Sequence, residues 1–159
     1  MALDLIEGAV DALYNYFLTN IAAALDTVDA HHADSIILED IKTWYLGNAP
    51  TAMPEWPCLW FEALSFTPKR AHDKGVVTID PYRIDIVVLI GCADEQERFR
   101  RLDRYAEAIM NLVEATASVA SFNYDYQWAG DVKKSPEFNN GEWIQAISIP
   151  IALSANENY

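Results

Sequence analysis

The residues whose side chains could do chemistry lie in a few short groups along the chain. Two histidines and two aspartates cluster near residue 30, and adjacent carboxylates occur at Glu39–Asp40 and Asp94–Glu95. Imidazole and carboxylate groups bind zinc and related metals when rigid elements hold them in place. Adjacent carboxylates could act as acid and base only if their environments separated their two pKa values. The members of the first group are Asp29, His31, His32 and Asp34.

No further feature fixes these groups as a reaction centre. The histidines follow a predicted helix, where imidazoles are favourable against the helix dipole, and adjacent exposed acids do not separate in pKa. The sequence also lacks a glycine-rich phosphate loop and the HExxH, CxxC and GxSxG motifs. We therefore predict no catalytic residue, no metal site and no cofactor, and interpret the chain as a non-enzyme.

Four arginines lie close together on a predicted helix, at positions 98, 100, 101 and 104. They could form a site for an anion or a partner protein. The alternative is a solvated helix face, since Glu97 and Arg101 are spaced as an i,i+4 ion pair. We favour the solvated face, because four acids also neutralise the group: Asp94, Glu95, Asp103 and Glu107.

The overall charge excludes several classes of partner. The 24 acidic and 11 basic residues give a net charge of −13, which disfavours ordinary nucleic-acid binding and anionic membrane surfaces. The imbalance is strongest in residues 1–41, which have no lysine or arginine. Two interpretations stay open: solubility, or a surface that lets a polyanion pass without holding it. The eight acids of this segment are Asp4, Glu7, Asp11, Asp26, Asp29, Asp34, Glu39 and Asp40.

Hydrophobic spacing predicts two long helices. The first runs from Leu3 to about Val28, after which the segment from His31 to Ser35 interrupts the helical period. Asp94, with Glu97 three residues later, is typical of a helix start, and the second helix continues to about Ala117. Residues 36–46 are predicted to be extended with one short strand. The proline-rich segment from Gly47 to Pro57 is predicted to be a loop that packs down through its tryptophans.

Alternating hydrophobic residues predict two hairpins. The first joins a strand at Cys58–Phe66 to one at Thr78–Cys92 through a turn at Pro68–Gly75; the second joins Ser121–Ala129 to Trp143–Leu153. Pro150 places part of the last strand at a sheet edge or a bulge. The predicted fold class is α+β: a mostly antiparallel sheet built from two β-hairpins, with two long helices packed on one face. Residues 1–159 are predicted to form a single domain.

Two sets of residues are candidates for contact with other chains. The first is an aromatic row that alternates along one predicted strand: Phe122, Tyr124, Tyr126 and Trp128. Such a row fits the core, and it also fits a subunit contact, because tyrosine and tryptophan are enriched in interfaces. The second set lies in the turn of the first hairpin, where basic residues could reach a neighbouring subunit: Lys69, Arg70 and Lys74.

The remaining features concern the compartment. Cys58 and Cys92 are predicted to be free thiols in a reducing cytosol, although antiparallel pairing of their strands leaves a disulfide open. The first ten residues lack the basic region of a signal peptide, and the longest apolar stretch, Ile86–Ala93, is too short to cross a bilayer. We expect a protein made in a cytoplasm and without a membrane partner.

The arrangement of these segments over nearly the whole chain resembles the tail terminator (tail completion) proteins of long-tailed bacteriophages. The residues that carry the resemblance are the opening helix from Leu3, the segment Ile41–Gly47, the approach Pro57–Glu62, the strand Tyr82–Cys92 running into the Asp94 helix, and the final hairpin. The resemblance implies a virion neck protein assembled in the host cytoplasm. It would form a six-membered ring that caps the head-proximal end of the tail tube and docks to the head connector.

DNA would pass through such a ring without specific binding, so the resemblance also implies an acidic lumen. The acids that we expect to contribute are Asp4, Glu7, Asp11, Asp94 and Glu95. The alternative within this structural class is another head-completion or head-to-tail joining protein. A small acidic enzyme or a ligand-binding α+β domain is the alternative from a different class.

Overall fold

The structure, a computed structural model, describes residues 2–47, 54–70, 77–139 and 141–155. Within these ranges the chain forms two α-helices and seven β-strands, with a short 3-10 turn at Thr116–Ser118. In chain order they are α1 (Ala2–His32), β1 (Thr43–Leu46), β2 (Cys58–Arg70), β3 (Val77–Gly91), α2 (Glu95–Ala115), β4 (Tyr124–Trp128), β5 (Lys133–Lys134), β6 (Phe138–Asn139) and β7 (Trp143–Ala155).

The seven strands form one sheet with β3 and β7 at its centre. The order is β1-β2-β3-β7-β4, and β5 and β6 also pair with β7. Strands β2, β3 and β7 pair antiparallel, whereas β1 runs parallel to β2. Because β3 occupies one side of β7, the strands β4, β5 and β6 follow one another along its other side.

The prediction of a mostly antiparallel sheet built from two hairpins is wrong. The sheet is mixed, because β1 is parallel to β2, and it has seven strands. Parallel neighbours need a connection long enough to return the chain to the same end of the sheet, and residues 47–57 provide that length. Strands β5 and β6 have 2 residues each, so no alternation marks them in the sequence.

Helix α1 is longer at its carboxyl end than its apolar spacing predicts. The segment that was expected to break the helical period continues it as far as His32. Ala33 then adopts a left-handed backbone with φ 49°, and its amide donates to the Asp29 carbonyl at 2.9 Å. This arrangement ends the helix. The buried stripe of α1 is Ala9, Leu13, Phe17, Ile21, Leu25 and Val28.

Helix α2 begins where the sequence predicts. The Asp94 carboxylate accepts a hydrogen bond from the Glu97 amide at 2.7 Å, which caps the first turn. The helix ends at Ala115, close to the predicted end. Its buried face contacts the same face of the sheet as α1, through Leu102, Tyr105, Ile109 and Val113.

The carboxyl-terminal half of strand β3 is buried on both faces. The alternate residues from Tyr82 to Ile90 lie in the core beneath the two helices. Val87 and Leu89 point to the opposite face, where they form a smaller apolar cluster with Cys58, Trp60 and Ile144. A strand covered on both sides is strongly fixed in register, because a slip of one residue would exchange its two faces.

The described part of the proline-rich loop packs down on this second cluster, as expected; residues 48–53 lie outside the described residues. The Trp56 indole lies against Gly91, where an added Cβ would be only 2.3 Å from Nε1. Its Nε1 donates to the Glu142 carboxylate at 3.1 Å. Gly91 therefore gives the indole the space that it needs, and the loop is held to the sheet.

Pro150 lies opposite the break between β4 and β5. Trp128 pairs with Ile151 and Lys133 with Ser148, so the segment outside β7 has two more residues than β7 between these pairs. The Pro150 carbonyl accepts from the Ala129 amide at 3.0 Å. The nitrogen of the same residue faces the same side of the strand, where the ladder is interrupted and no donor is required.

The left-handed Ala33 gives a test of the helix end. We expect Ala33→Gly to raise the free energy of unfolding by roughly 0.5–1 kcal/mol, because glycine adopts this conformation without the Cβ clash. Ala30→Gly, an exposed position inside α1, is the matched control and should lower it by about 1 kcal/mol. Urea denaturation of the three proteins measures both. A lower stability for Ala33→Gly would contradict this account of the helix end.

Candidate functional site

The histidine and aspartate group near residue 30 does not converge on one point. Asp29 accepts from the Leu38 amide through both carboxylate oxygens, at 3.0 and 3.2 Å. His32 Nε2 lies 2.8 Å from a Glu107 oxygen, and Asp34 turns to Arg104. Among the described residues no three histidine, cysteine or acidic side chains are placed to hold a metal ion. The group instead joins the end of α1 to α2.

The Asp34–Arg104 ion pair is the strongest element of this connection. Arg104 donates to both carboxylate oxygens of Asp34 and to the Ile36 carbonyl at 3.0 Å, and it is 5% exposed. The hydrogen bonds from Arg104 and from the Ile36 amide hold the pKa of Asp34 well below its usual range. The pair thus fixes the extended segment after α1 against the middle of α2.

Arg98 is almost completely buried, at 1% exposure, and has a partner for each part of its guanidinium. It donates to the Cys92 carbonyl at 2.7 Å, pairs with Glu137 at 2.8 Å and approaches Gln145 at 3.4 Å. Gln145 in turn donates to the Ser135 carbonyl at 2.9 Å. These contacts fix the segment between β5 and β6 to the start of α2.

The interpretation of the four arginines as one solvated face is therefore wrong for Arg98 and Arg104. Arg100 is exposed, and Arg101 is half-buried with hydrogen bonds to Glu97 at 2.6 and 2.9 Å. The sequence holds a signal for the burial. Arg98 and Arg104 precede Leu102 and Ala108 by four residues, so each continues a row of the buried helix face.

Many acids around α2 have cationic partners. The ion pairs within the described residues include Arg101–Glu97, Lys134–Asp103 and Lys42–Glu39, at 2.6, 2.6 and 2.9 Å. Asp11 and Asp26 on the outer side of α1 are exposed and have no ion pair in the part of the chain that the structure describes. Acids without an ion pair in the described residues thus lie on both helices: Asp11 and Asp26 on α1, and Glu95 and Glu114 on α2.

The predicted lumen acids fall into two places. Asp94 and Glu95 are exposed at the amino end of α2, where Asp94 also serves as the helix cap. Asp11 is exposed on α1. Asp4 and Glu7 belong to the first turns of the same helix, and the structure describes their backbone alone. The two groups are therefore at the beginnings of two different helices.

The aromatic row divides between core and surface. Phe122 precedes β4 and is 7% exposed, and Tyr124 and Tyr126 are partly buried against the same core. Trp128 is 40% exposed beside Tyr126, with the ring centroids 5.4 Å apart. The row lies on the helix-covered side of the sheet, so the exposed part available to another chain is its end at Trp128.

The basic residues of the first hairpin are not in a turn as predicted. Strand β2 continues to Arg70, so that Lys69 pairs with Thr78 and Arg70 with Val77 in the backbone ladder. The structure describes the backbone of these residues, and Lys74 lies outside the described residues. In the described residues, strand β3 pairs with β7 only from Tyr82 onward. Before Tyr82 the hairpin of β2 and β3 therefore extends from the sheet as a two-stranded ribbon.

Both cysteines are free thiols. Antiparallel pairing of their strands is present, but the register places Cys58 opposite Leu89, three residues before Cys92. Burial raises the pKa of the Cys58 thiol to about 11. This thiol therefore stays protonated and unreactive at neutral pH.

No helix in the described ranges is both long enough and apolar enough to cross a bilayer. No protein-family model matches this chain, and comparison with curated proteins likewise gives no match. The features that bear on function are therefore the chain's own charge distribution and the edges of its sheet.

The Asp34–Arg104 pair gives a test based on pH. Because the pKa of Asp34 is lower in the folded than in the unfolded state, the pair stabilises the fold above the unfolded pKa of about 4. We expect Asp34→Asn to lower the free energy of unfolding at pH 7, and this difference to shrink as the pH falls below about 4. Urea denaturation across pH measures it, with Asp26→Asn as the exposed control. A difference that stays constant down to pH 3 would contradict the assignment.

Proposed function

We propose that this chain is a structural neck protein of a long-tailed bacteriophage, a tail terminator without catalytic activity. It assembles into a ring, of six copies by the resemblance, that caps the head-proximal end of the tail tube and joins it to the head connector. DNA passes through the ring without specific binding. The proposal places the protein in the virion, after assembly in the host cytoplasm.

The observation that carries this proposal is that most arginines of α2 are paired within the chain, whereas acids on both helices are exposed. Three of the four arginines of α2 have internal partners, with Arg98 and Arg104 buried, so these three are not available to hold phosphates; Arg100 is exposed. Asp11 and Asp26 on α1 are exposed and have no ion pair among the described residues, and residues 1–41 contain no lysine or arginine. A surface of this kind repels a passing duplex, which carries about one charge per 1.7 Å of its axis.

The placement of the polar residues supports a structural role in preference to an enzymatic one. Each buried charged or polar side chain near α2 has a structural partner: Arg98 with Glu137, Arg104 with Asp34, and Gln145 with the Ser135 carbonyl. Four of the six side chains that line the charged notch between the end of α1 and α2 pair with one another, as His32–Glu107 and Asp34–Arg104. Of the other two, Asp103 pairs with Lys134 and Arg100 is exposed. An enzyme site would need groups left available to a substrate.

The segments that carry the resemblance form continuous parts of the sheet. Ile41–Gly47 contains β1, Pro57–Glu62 contains its parallel partner in β2, and Tyr82–Cys92 runs through the centre of the sheet to α2. Another head-completion or joining protein of the neck is the alternative within this class. The position of the ring distinguishes the two, because a terminator lies on the tail tube and a joining protein on the head connector.

Imaging of assembled particles tests the ring. We expect a closed ring at the head-proximal end of the tail tube, with a net negative wall to which the acids of residues 4–40 or 94–107 contribute. A single asymmetric copy in each particle would overturn the proposal. A lumen lined mainly by exposed cations such as Arg100 and Lys133, with Asp11 and Asp26 on the outside, would assign the acidity to solubility alone.

Charge reversal in the ribbon tests the predicted contact between subunits. We expect Lys69→Glu with Arg70→Glu to slow ring assembly at low salt, because rim charges act mainly on association rate. The difference from wild type should fall as salt screens it over about 10 Å. The matched control is Arg100→Glu with Lys133→Glu, which changes the net charge equally at two exposed positions. Equal effects of the two variants across a salt series would count against the contact.

A further inference from the structure

Among the described residues, further strands cover the two edges of the sheet in one half and not in the other. The β2 side of the sheet is its left edge and the β4 side its right edge. In the lower half, defined by β2 residues 58–61, β1 pairs with β2 and covers the left edge. The right edge at this height is covered by β5 and β6, which pair with β7 at residues 143–148. In the upper half, defined by β2 residues 62–70, the described residues give β2 a strand partner on one side, β3. The right edge there is β4, which pairs with β7.

The two open edges lie at the same height across the sheet. Ser65 pairs with Arg83, Arg83 with Ala152, and Ala152 with Gln127, so one continuous row joins β2 to β4. The two neighbouring rows also contain all four strands, since β7 residues 151 and 153 each pair with both β3 and β4. A copy placed beside the first at equal height would therefore bring its open β2 edge next to the open β4 edge.

The strand directions also fit such a pairing. Strands β2 and β3 are antiparallel, as are β3 and β7, and β7 and β4. Strand β4 therefore runs opposite to β2 within one copy. If the ring axis is parallel to the strands, β4 of one copy is also antiparallel to β2 of the next copy. Two backbone donors of β4 face outward. Since the Ala129 amide points to β7, the amides of Trp128 and Tyr126 point away from it.

We propose that β4 of one copy pairs antiparallel with the upper half of β2, residues 62–70, of the next copy, so that the sheets join around the ring. This assignment rests on the proposed ring and names the surfaces that form it. Two different edges of one subunit meet, which is the head-to-tail contact that closes rings of identical subunits. The exposed Trp128 then lies at the junction, where the neighbouring copy covers its side chain.

Charge complementarity identifies a second copy as the partner. The amino-terminal part of α1 lies over β4, since a Cβ at Gly8 would be 3.1 Å from the Tyr124 hydroxyl. Acids occupy positions 4, 7 and 11 of this part, and cations occupy positions 69 and 70, beyond the row of Ser65 on β2. Continuing β2 past the β4 row at about 3.3 Å per residue brings the backbone of positions 69 and 70 of the next copy level with the start of α1.

This placement reduces the number of acids that are candidates for the wall of the proposed lumen. The acids of the first turns of α1 would be partly neutralised by the neighbouring ribbon, so Asp94 and Glu95 at the start of α2 become the stronger candidates for the wall. The ribbon also gains a partner. A two-stranded ribbon alone is marginally stable in water, and a third strand from the next copy stabilises it.

Disulfide crosslinking tests the pairing directly. Ser65→Cys with Gln127→Cys, in a Cys92→Ser background, places one thiol on each open edge in the same row. Antiparallel neighbours have Cα atoms about 4.5–5.5 Å apart, within reach of a disulfide. Under mild oxidation of assembled particles, we expect a covalent ladder that ends at the ring number on a non-reducing gel. Closing a sheet into a barrel requires neighbouring strands to be staggered. The pair Glu62→Cys with Gln127→Cys therefore tests a register in which β2 of the next copy is shifted by three residues relative to β4.

The controls separate the pairing from the ring itself. Ser65→Cys with Lys133→Cys, in the same background, moves one thiol to the lower half of the right edge and should give little crosslinking. An imaged ring without crosslinks from either test pair would overturn the pairing and leave the proposed function standing. Crosslinked chains that never close, on particles without a ring, would support the pairing and overturn the proposed function. Particles with neither a ring nor crosslinks would overturn both.

A measurement on the unaltered chain covers the case in which the cysteine variants do not fold. Hydrogen exchange of the peptide that contains Tyr126 and Trp128 should slow by at least tenfold on assembly, because the outward amides gain acceptors. The peptide that contains β5 serves as the internal control and should change little. Unchanged exchange at β4 in assembled rings would overturn the pairing.

Discussion

The fold depends on the burial of one face of β3 and β7 beneath α1 and α2. Alternate residues of the two strands, from Tyr82 to Ile90 and from Ile147 to Leu153, lie in a single core with both helices. Each fully buried apolar side chain of this size contributes roughly 2 kcal/mol, and a slip of one residue would exchange the two faces. The register of the central strands is therefore fixed, and with it the height of every strand that pairs with them.

The electrostatic organisation follows from the same packing. Arg98 and Arg104 are on or beside the face of α2 that meets the core, so their charges must be met by partners within the chain. Glu137 and Asp34 provide those partners and tie two irregular segments to the helix. Internal use of these cations leaves exposed acids on both helices, at Asp11 and Asp26 of α1 and at Glu95 and Glu114 of α2. Much of the net negative charge of the molecule therefore lies on its surface.

Both helices and the long strands could be predicted from the sequence, because extended periodic patterns report burial on one face. The alternation in Thr78–Cys92 and the Asp94 cap are the clearest cases. The sheet order could not be predicted. Nothing local shows that Thr43–Leu46 pairs parallel to Cys58–Phe61, and two-residue strands have no period. The buried arginines were missed because charge was weighed above their position in the helical row.

The candidate surfaces were harder to predict than the fold, since they depend on pairing between distant segments. Lys69 and Arg70 were assigned to a turn from their composition, yet the ladder with Thr78 and Val77 places them in a strand. Proteins commonly protect sheet edges with short strands, bulges or charged residues, because an open ladder is a template for pairing. Here β1, β5 and β6 protect the lower half of the sheet, whereas in the described residues the upper half ends at β2 and β4. Edges left open at matching height on both sides of one sheet fit a subunit whose sheet is completed by its neighbours.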